Sequence, residues 1–444
     1  MDISPRRRRD IIDALRRGTV PERGLDVMAV GLDRFDATVR DELDAVAQGG
    51  ASFKAVRGEY GSGKTFFARW LSETAKKQGF ATAELQISET ETPLHRLETV
   101  YRRIIENLAT AEAQPSALRE VIDGWFHVLE GDAIDAGANG ADPHEVATEA
   151  DALMERRLSN VSKTAPAFAT ALRGYRAAVR AGDAAQAEGL LAWLAGQPHV
   201  AAGVRRSAGL RGELDHFGAL GFLQGLLTVL RDSDYRGLVV ILDEVETLQR
   251  VRSDVRERSL NSLRQLVDEV DAGRFPGLYI LITGTPAFFD GPQGMQRLPP
   301  LAQRIAADFS GDPRFDNPRA PQIRLTGFTD ASLHELGARI REVYASGQPT
   351  QDRLLTLVDD AFLSELGSSI AGQLGGRVGV APRLYLRRLV DILDRADQFE
   401  EYEPRRDALG AIPAADMTEA ELAVTRFGGK HAPAGGVDDV ELDV

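Results

Sequence analysis

Gly58, Gly61 and Gly63, with Lys64 and Thr65 directly behind, stand in the run GEYGSGKT and satisfy G-x-x-x-x-G-K-[ST]. Glycine lets backbone N–H groups turn inward around phosphate oxygens, where a Cβ would clash. A helix starting at Lys64 adds the partial positive charge of its N-terminus. Lys64 can then reach the β and γ phosphates of a nucleotide, and the Thr65 hydroxyl can ligate magnesium. Gly58, Tyr60, Gly61, Ser62, Gly63, Lys64, Thr65 and Phe66 are therefore the candidate residues around a bound ATP.

A phosphate grip alone fits a kinase, a GTPase or an ATPase. The run LVVILDEVE narrows the choice, because four apolar residues lead into Asp243 and place its carboxylate at the C-terminal end of a buried strand, beside the loop at 58–65. There Asp243 can hold a magnesium shell, and Glu244 can accept a proton from an attacking water. This acidic pair favours hydrolysis over transfer to a small molecule. A metabolite kinase would want a short arginine-rich lid and no acidic pair.

Such a site needs a strand before the loop and a helix after it. ASFKAVRG is apolar and β-prone, and TFFARWLSETAKKQG is helical, with Phe66, Phe67, Trp70, Leu71 and Thr74 on one face and Gly79 as the stop. FATAELQI (80–87), GLVVILDEVETL (237–248), GLYILITGTPAFF (277–289) and APQIRLTGFT (320–329) read as further strands. Strands alternating with amphipathic helices predict an α/β fold with a parallel sheet flanked by helices. Between 111 and 224 only alanine- and leucine-rich helical segments occur, with Trp125, Phe126 and Trp193 as core. The expected organisation is a helical lead-in (1–30), a first part of the core (31–110), a helical insertion (111–224), a second part of the core (225–330), a helical lid (331–404) and a tail of disordered composition (405–444).

The 444 residues suffice for roughly two to four domains. The absence of cysteine excludes disulfides, thiolate metal sites and a cysteine nucleophile. No apolar run is long enough for a membrane span and no secretory signal is evident, so the cytoplasm is the expected compartment. A net charge of −14 argues against non-specific coating of nucleic acid. The run Arg6–Arg9 leaves open a local DNA contact, against a solvated helix face.

The loop, the acidic pair and the element order together resemble AAA+ ATPases over about 31–110 and 225–403. By that resemblance, Thr283 is the polar sensor that orients the lytic water, with Thr285 as the fallback. Arg304 in LAQRI is the arginine offered to a neighbouring subunit, with Arg314 and Arg319 as substitutes, and Arg383 in GVAPRLYLRRLVDIL reports the γ-phosphate to the lid. The flat guanidinium fork suits both arginine roles.

The finer texture is narrower still. DALRRGTVPERGLDVMAVGLDRFDATVRDEL, GEYGSGKTFFARWL, DEVETLQR, ITGTPAFFD and DPRFDNPRAPQIRL resemble the BrxC/BrxD family of P-loop proteins over most of residues 10–400. By length and order the chain is similar to the smaller ATP-binding component of BREX-type phage-defence systems. The resemblance implies a magnesium-dependent ATPase that forms a homo-oligomer and works beside a defence partner such as a helicase, with DNA as a further partner. An assembly that remodels or loads a partner and a slow nucleotide switch need the same residues, and the sequence leaves both open.

Overall fold

A computed structural model describes residues 3–373, 382–408 and the single positions Met417 and Leu422. Most of the tail expected over 405–444, and the start of the late helix at 379–381, lie outside them. The chain opens with α1 (Pro5–Arg16), α2 (Leu25–Met28) and α3 (Asp33–Ala47), then β1 (Ala51–Arg57), α4 (Lys64–Lys77), β2 (Ala81–Gln86) and α5 (Leu97–Glu106). Helices α6 (Leu118–Asp135), α7 (Pro143–Arg157), α8 (Ser159–Thr164), α9 (Pro166–Ala181), α10 (Ala184–Leu194), α11 (Ala202–Ser207) and α12 (His216–Asp232) follow before β3 (Leu238–Asp243). A 3-10 turn (Val245–Gln249), α13 (Ser253–Asp271), β4 (Leu278–Gly284), α14 (Pro286–Asp290), α15 (Pro299–Arg304) and β5 (Gln322–Arg324) complete the core. Helices α16 (Asp330–Ala345), α17 (Gln351–Leu357), α18 (Asp360–Gln373), α19 (Pro382–Gln398) and α20 (Pro404–Asp407) form the C-terminal bundle.

The five strands form one parallel sheet in the order β2-β3-β4-β1-β5. With β1 and β3 separated only by β4, the loop after β1 and the acidic end of β3 open on the same edge. This is an α/β fold, a parallel sheet flanked by helices with the phosphate-loop sequence after β1 and a helical bundle following the sheet in sequence. Residues on β3 alternate as the pleat requires. Val240 and Leu242 pack toward α5, α12 and the helices of 118–194, whereas Val239 and Ile241 pack toward α3 and α4. The first of these clusters runs without a break from the sheet to Trp125, Phe126 and Trp193, so those aromatics are core. Asp232 fastens this layer, accepting from Trp125 Nε1 at 2.5 Å and from Arg157 Nη1 at 2.7 Å.

Three expectations need correction. The strand read over 237–248 stops at Asp243, because Glu244 takes a left-handed conformation (φ 61°) that no extended ladder accommodates. The strand read over 277–289 stops at Gly284, where Pro286 opens α14 at a position that needs no N–H. Only Gln322–Arg324 of the run 320–329 pair with the sheet. On α4, Phe67, Trp70 and Leu71 are buried, but Phe66 and Thr74 are only partly so.

Helix α1 is more than a lead-in. Ile11, Ile12 and Leu15 are buried in the same cluster as Leu333, Leu336, Leu389, Val390 and Leu393 of the C-terminal bundle. Burying three such side chains contributes about 1.5–3 kcal/mol each. Arg16 adds bonds of 2.8 Å from Nε and Nη2 to Asp394. The segment after α1 is fixed instead to the core, where the Glu73 carboxylate on α4 accepts from Gly24 N (3.0 Å) and Leu25 N (2.9 Å). Residues 17–24 thus span from the bundle to the phosphate-loop helix.

Gly237, directly before β3, has φ 150°, and a Cβ there would sit 2.3 Å from the Gly277 carbonyl oxygen. Gly237→Ala should therefore cost about 2–4 kcal/mol in urea unfolding, from backbone overlap in addition to strain. An unchanged midpoint would contradict this account of the close strand approach.

Candidate functional site

The loop between β1 and α4 has its glycines where the backbone demands them. Gly63 (φ 93°) caps α4, and no side chain bonds to the first N–H groups of that helix. These amides are left facing a cleft of about 450 Å³ between the loop, the segment after α1 and the C-terminal bundle. Ser62 contributes a buried Oγ with no hydrogen-bond partner among the described residues. Uncapped amides and an orphaned hydroxyl at one helix start fit the oxygen shell of a phosphate chain. Tyr60, Gly61, Ser62, Gly63, Lys64, Thr65 and Phe66 all line the cleft, whereas Gly58 does not, and its carbonyl accepts from Lys64.

Lys64 is buried and its ammonium folds back on its own loop. It donates to Gly58 O at 2.9 Å and Glu59 O at 3.3 Å, and lies 5.2 Å from the centre of the Tyr60 ring. Burial raises the Tyr60 phenol above its usual range, with Glu246 nearby adding to the effect.

Asp243 joins three elements. Its Oδ2 accepts from Thr65 Oγ1 at 3.0 Å, and its Oδ1 accepts from Thr283 Oγ1 and, at 3.1 Å, from the Glu244 N–H. Thr283 is fully buried on β4 and also accepts from Glu244 N at 3.3 Å. These bonds hold Glu244 in its left-handed turn, a conformation that costs a non-glycine residue about 1–3 kcal/mol. The Glu244 side chain lines the cleft and accepts from Gln86 Nε2 at 2.7 Å. Thr65 and Asp243 present neighbouring hard oxygens of the kind magnesium takes. Among the described residues no group of three or more His, Cys, Asp or Glu could hold a metal, so a cation here would share phosphate oxygens. Thr285 is buried two residues beyond Thr283, at the start of α14.

Arg383 reaches the cleft from α19. Its Nη1 lies 3.1 Å from where a Cβ on Gly18 would stand, so the turn after α1 and the bundle meet at this guanidinium. Arg304 does not reach the cleft of its own chain. It sits half-exposed on α15, bonded to Asp268 (3.0 Å) and Asp271 (3.5 Å) of α13. Arg314 and Arg319 are still more exposed, beside Asp312 and Asp41 respectively.

Sequence reasoning missed two residues. Gln86 ends β2 in register with Asp243, so the strand pairing was the signal that could have found it. Glu246 lies in the turn after β3, is 6% exposed and lines the cleft. One oxygen lies 3.9 Å from Lys64 Nζ and the other has no hydrogen-bond partner among the described residues. Burial raises its carboxyl above the ordinary range, against the pull of Lys64. Read as a continued strand, 237–248 gave no hint of that placement.

A solved structure of the Aeropyrum pernix ORC2 protein in ADPNP–ADP complexes is similar at 13% identity, over 81% of this chain and 66% of that one, with a TM-score of 0.33. At that score it carries no argument here. No curated protein matches. The sequence model of the family described as BREX system ATP-binding protein BrxC/D matches residues 3–410, and no helix of the described residues is long and apolar enough to cross a membrane. With the phosphate loop and the acidic strand end converging on one cleft, that match settles the family: the chain belongs to the BrxC/D ATP-binding proteins of the BREX system.

Proposed function

We propose that this chain hydrolyses ATP in the cleft at Lys64 and uses the nucleotide state to set the position of its helical bundle in a phage-defence assembly. The observation that carries the reading is the convergence of Lys64, Thr65, Glu244 and Arg383 on one cavity, with Asp243 and Thr283 directly behind. Lys64 and the α4 amides compensate phosphate charge. Thr65 and Asp243 would hold magnesium, which would supply further charge neutralisation when bound. Glu244 removes a proton from water as its oxygen bonds to the γ-phosphorus. The bond from that phosphorus to the bridging oxygen breaks, leaving ADP and phosphate. Arg383 connects the γ-phosphate side of the cleft to the bundle.

Gln86 favours slow turnover. Its amide occupies a Glu244 oxygen, and that bond must open before Glu244 can serve as a base. The reading is therefore closer to a switch reset by hydrolysis than to a fast motor, with remodelling or loading of a partner such as a helicase as the alternative. Arg304, too far from its own cleft, serves a neighbouring copy in a homo-oligomer. DNA contact falls to part of the N-terminal run. Arg7 pairs with Asp26 and Arg8 with the Ser346 carbonyl, whereas Arg6 and Arg9 are exposed.

Three outcomes test this. Glu244→Gln should keep ATP affinity within about twofold and lower turnover by about 100-fold or more, as loss of a general base does; normal phosphate release would remove Glu244 from that role. Arg304→Ala should bind ATP normally and lose hydrolysis in the assembled state, by about 100-fold on the scale of arginine fingers. Full activity of that assembly would end the trans role. Arg6→Gln with Arg9→Gln should lower the salt slope of duplex-DNA binding by about 2, near one per phosphate contact. An unchanged slope would dismiss these arginines.

A further inference from the structure

Lys64 is held by four groups, and three of them belong to its own loop: the carbonyls of Gly58 and Glu59, and the Tyr60 ring. The fourth is Glu246, which comes from the far side of the cleft on the turn after β3. This carboxyl is 6% exposed, and its second oxygen has no hydrogen bond to any described residue. A buried carboxyl with an unmade bond costs stability unless something offsets it. Among the described residues, the cation set against it is Lys64, at 3.9 Å.

We propose that Glu246 is a positioning residue that holds Lys64 over its own loop and competes with the incoming phosphates for the ammonium. The proposal rests on the reading above, in which Lys64 contacts the β and γ phosphates. A triphosphate entering the cleft must draw the Lys64 ammonium away from the Gly58 and Glu59 carbonyls and toward itself. Glu246 opposes this twice, by attracting the same ammonium and by repelling the phosphate oxygens. Both effects grow with phosphate charge, so ATP is penalised more than ADP. Glu246 thus lowers affinity and speeds nucleotide exchange, a role distinct from that of Glu244, which lies two residues earlier and is bonded to Gln86.

The test is calorimetric titration of the full chain with ATP and with ADP, comparing wild type, Glu246→Gln, Glu246→Asp and Lys64→Ala. Glu246→Gln keeps the shape and removes the charge, and should tighten ATP by about tenfold, equivalent to about 1.4 kcal/mol. ADP should tighten less. Glu246→Asp, with its carboxylate withdrawn by one methylene, should tighten ATP by a smaller factor, and it keeps the proposal open to refutation should Glu246→Gln fail to fold. A purely structural role would weaken both nucleotides together, and that result, or unchanged affinities in the folded variants, overturns the proposal. Lys64→Ala separates this failure from failure of the site itself. Loss of ATP binding there with no tightening in the Glu246 variants sinks only the competition, whereas wild-type affinity in Lys64→Ala sinks both.

Discussion

The Asp243 carboxylate is the point on which the site depends. It accepts from Thr65 at the start of α4, from Thr283 on β4 and from the N–H of Glu244. Three elements from distant parts of the chain are thereby fixed to one pair of oxygens. The third bond also explains a strained residue. Glu244 can occupy a left-handed turn because its N–H is bound on two sides, and that turn sends its side chain to Gln86 and brings Glu246 round to Lys64. Without the turn, a continued strand would leave the two glutamates, at i and i+2, side by side on one face of the sheet.

The second constraint is the way the N-terminal segment bridges the cleft. Helix α1 belongs to the core of the C-terminal bundle, whereas Gly24 and Leu25 are held by Glu73 on the helix that carries Lys64 and Thr65. Between these anchors the chain passes Arg383. The cleft therefore has a floor on the sheet and two walls linked by two short covalent spans, residues 17–24 and the connection 325–329 between β5 and α16. Any shift of the bundle relative to the phosphate loop must be absorbed within these two spans.

Much of this was legible because it is local. The phosphate loop, the strand before it, the helix after it and the stop at Gly79 follow from neighbouring residues, and the structure has each of them in place. Asp243 was legible from the apolar run that precedes it. The end of that strand was not, because Val245 and Leu248 are apolar and buried in the turn just as they would be in a strand. Composition does not distinguish the two. Gln86 and Glu246 escaped because their meaning comes from strand register and from a turn conformation. The Arg6–Arg9 run escaped in part for the same reason, since the partner of Arg8 lies at Ser346, far along the chain.

The most direct test is a structure of the chain with magnesium and a non-hydrolysable ATP analogue. The account predicts the analogue in the cleft, its phosphates against the first amides of α4, and Lys64 Nζ moved off Gly58 O and Glu59 O onto phosphate oxygen. An analogue bound elsewhere, or a Lys64 still folded onto its loop beside a fully occupied cleft, would contradict it.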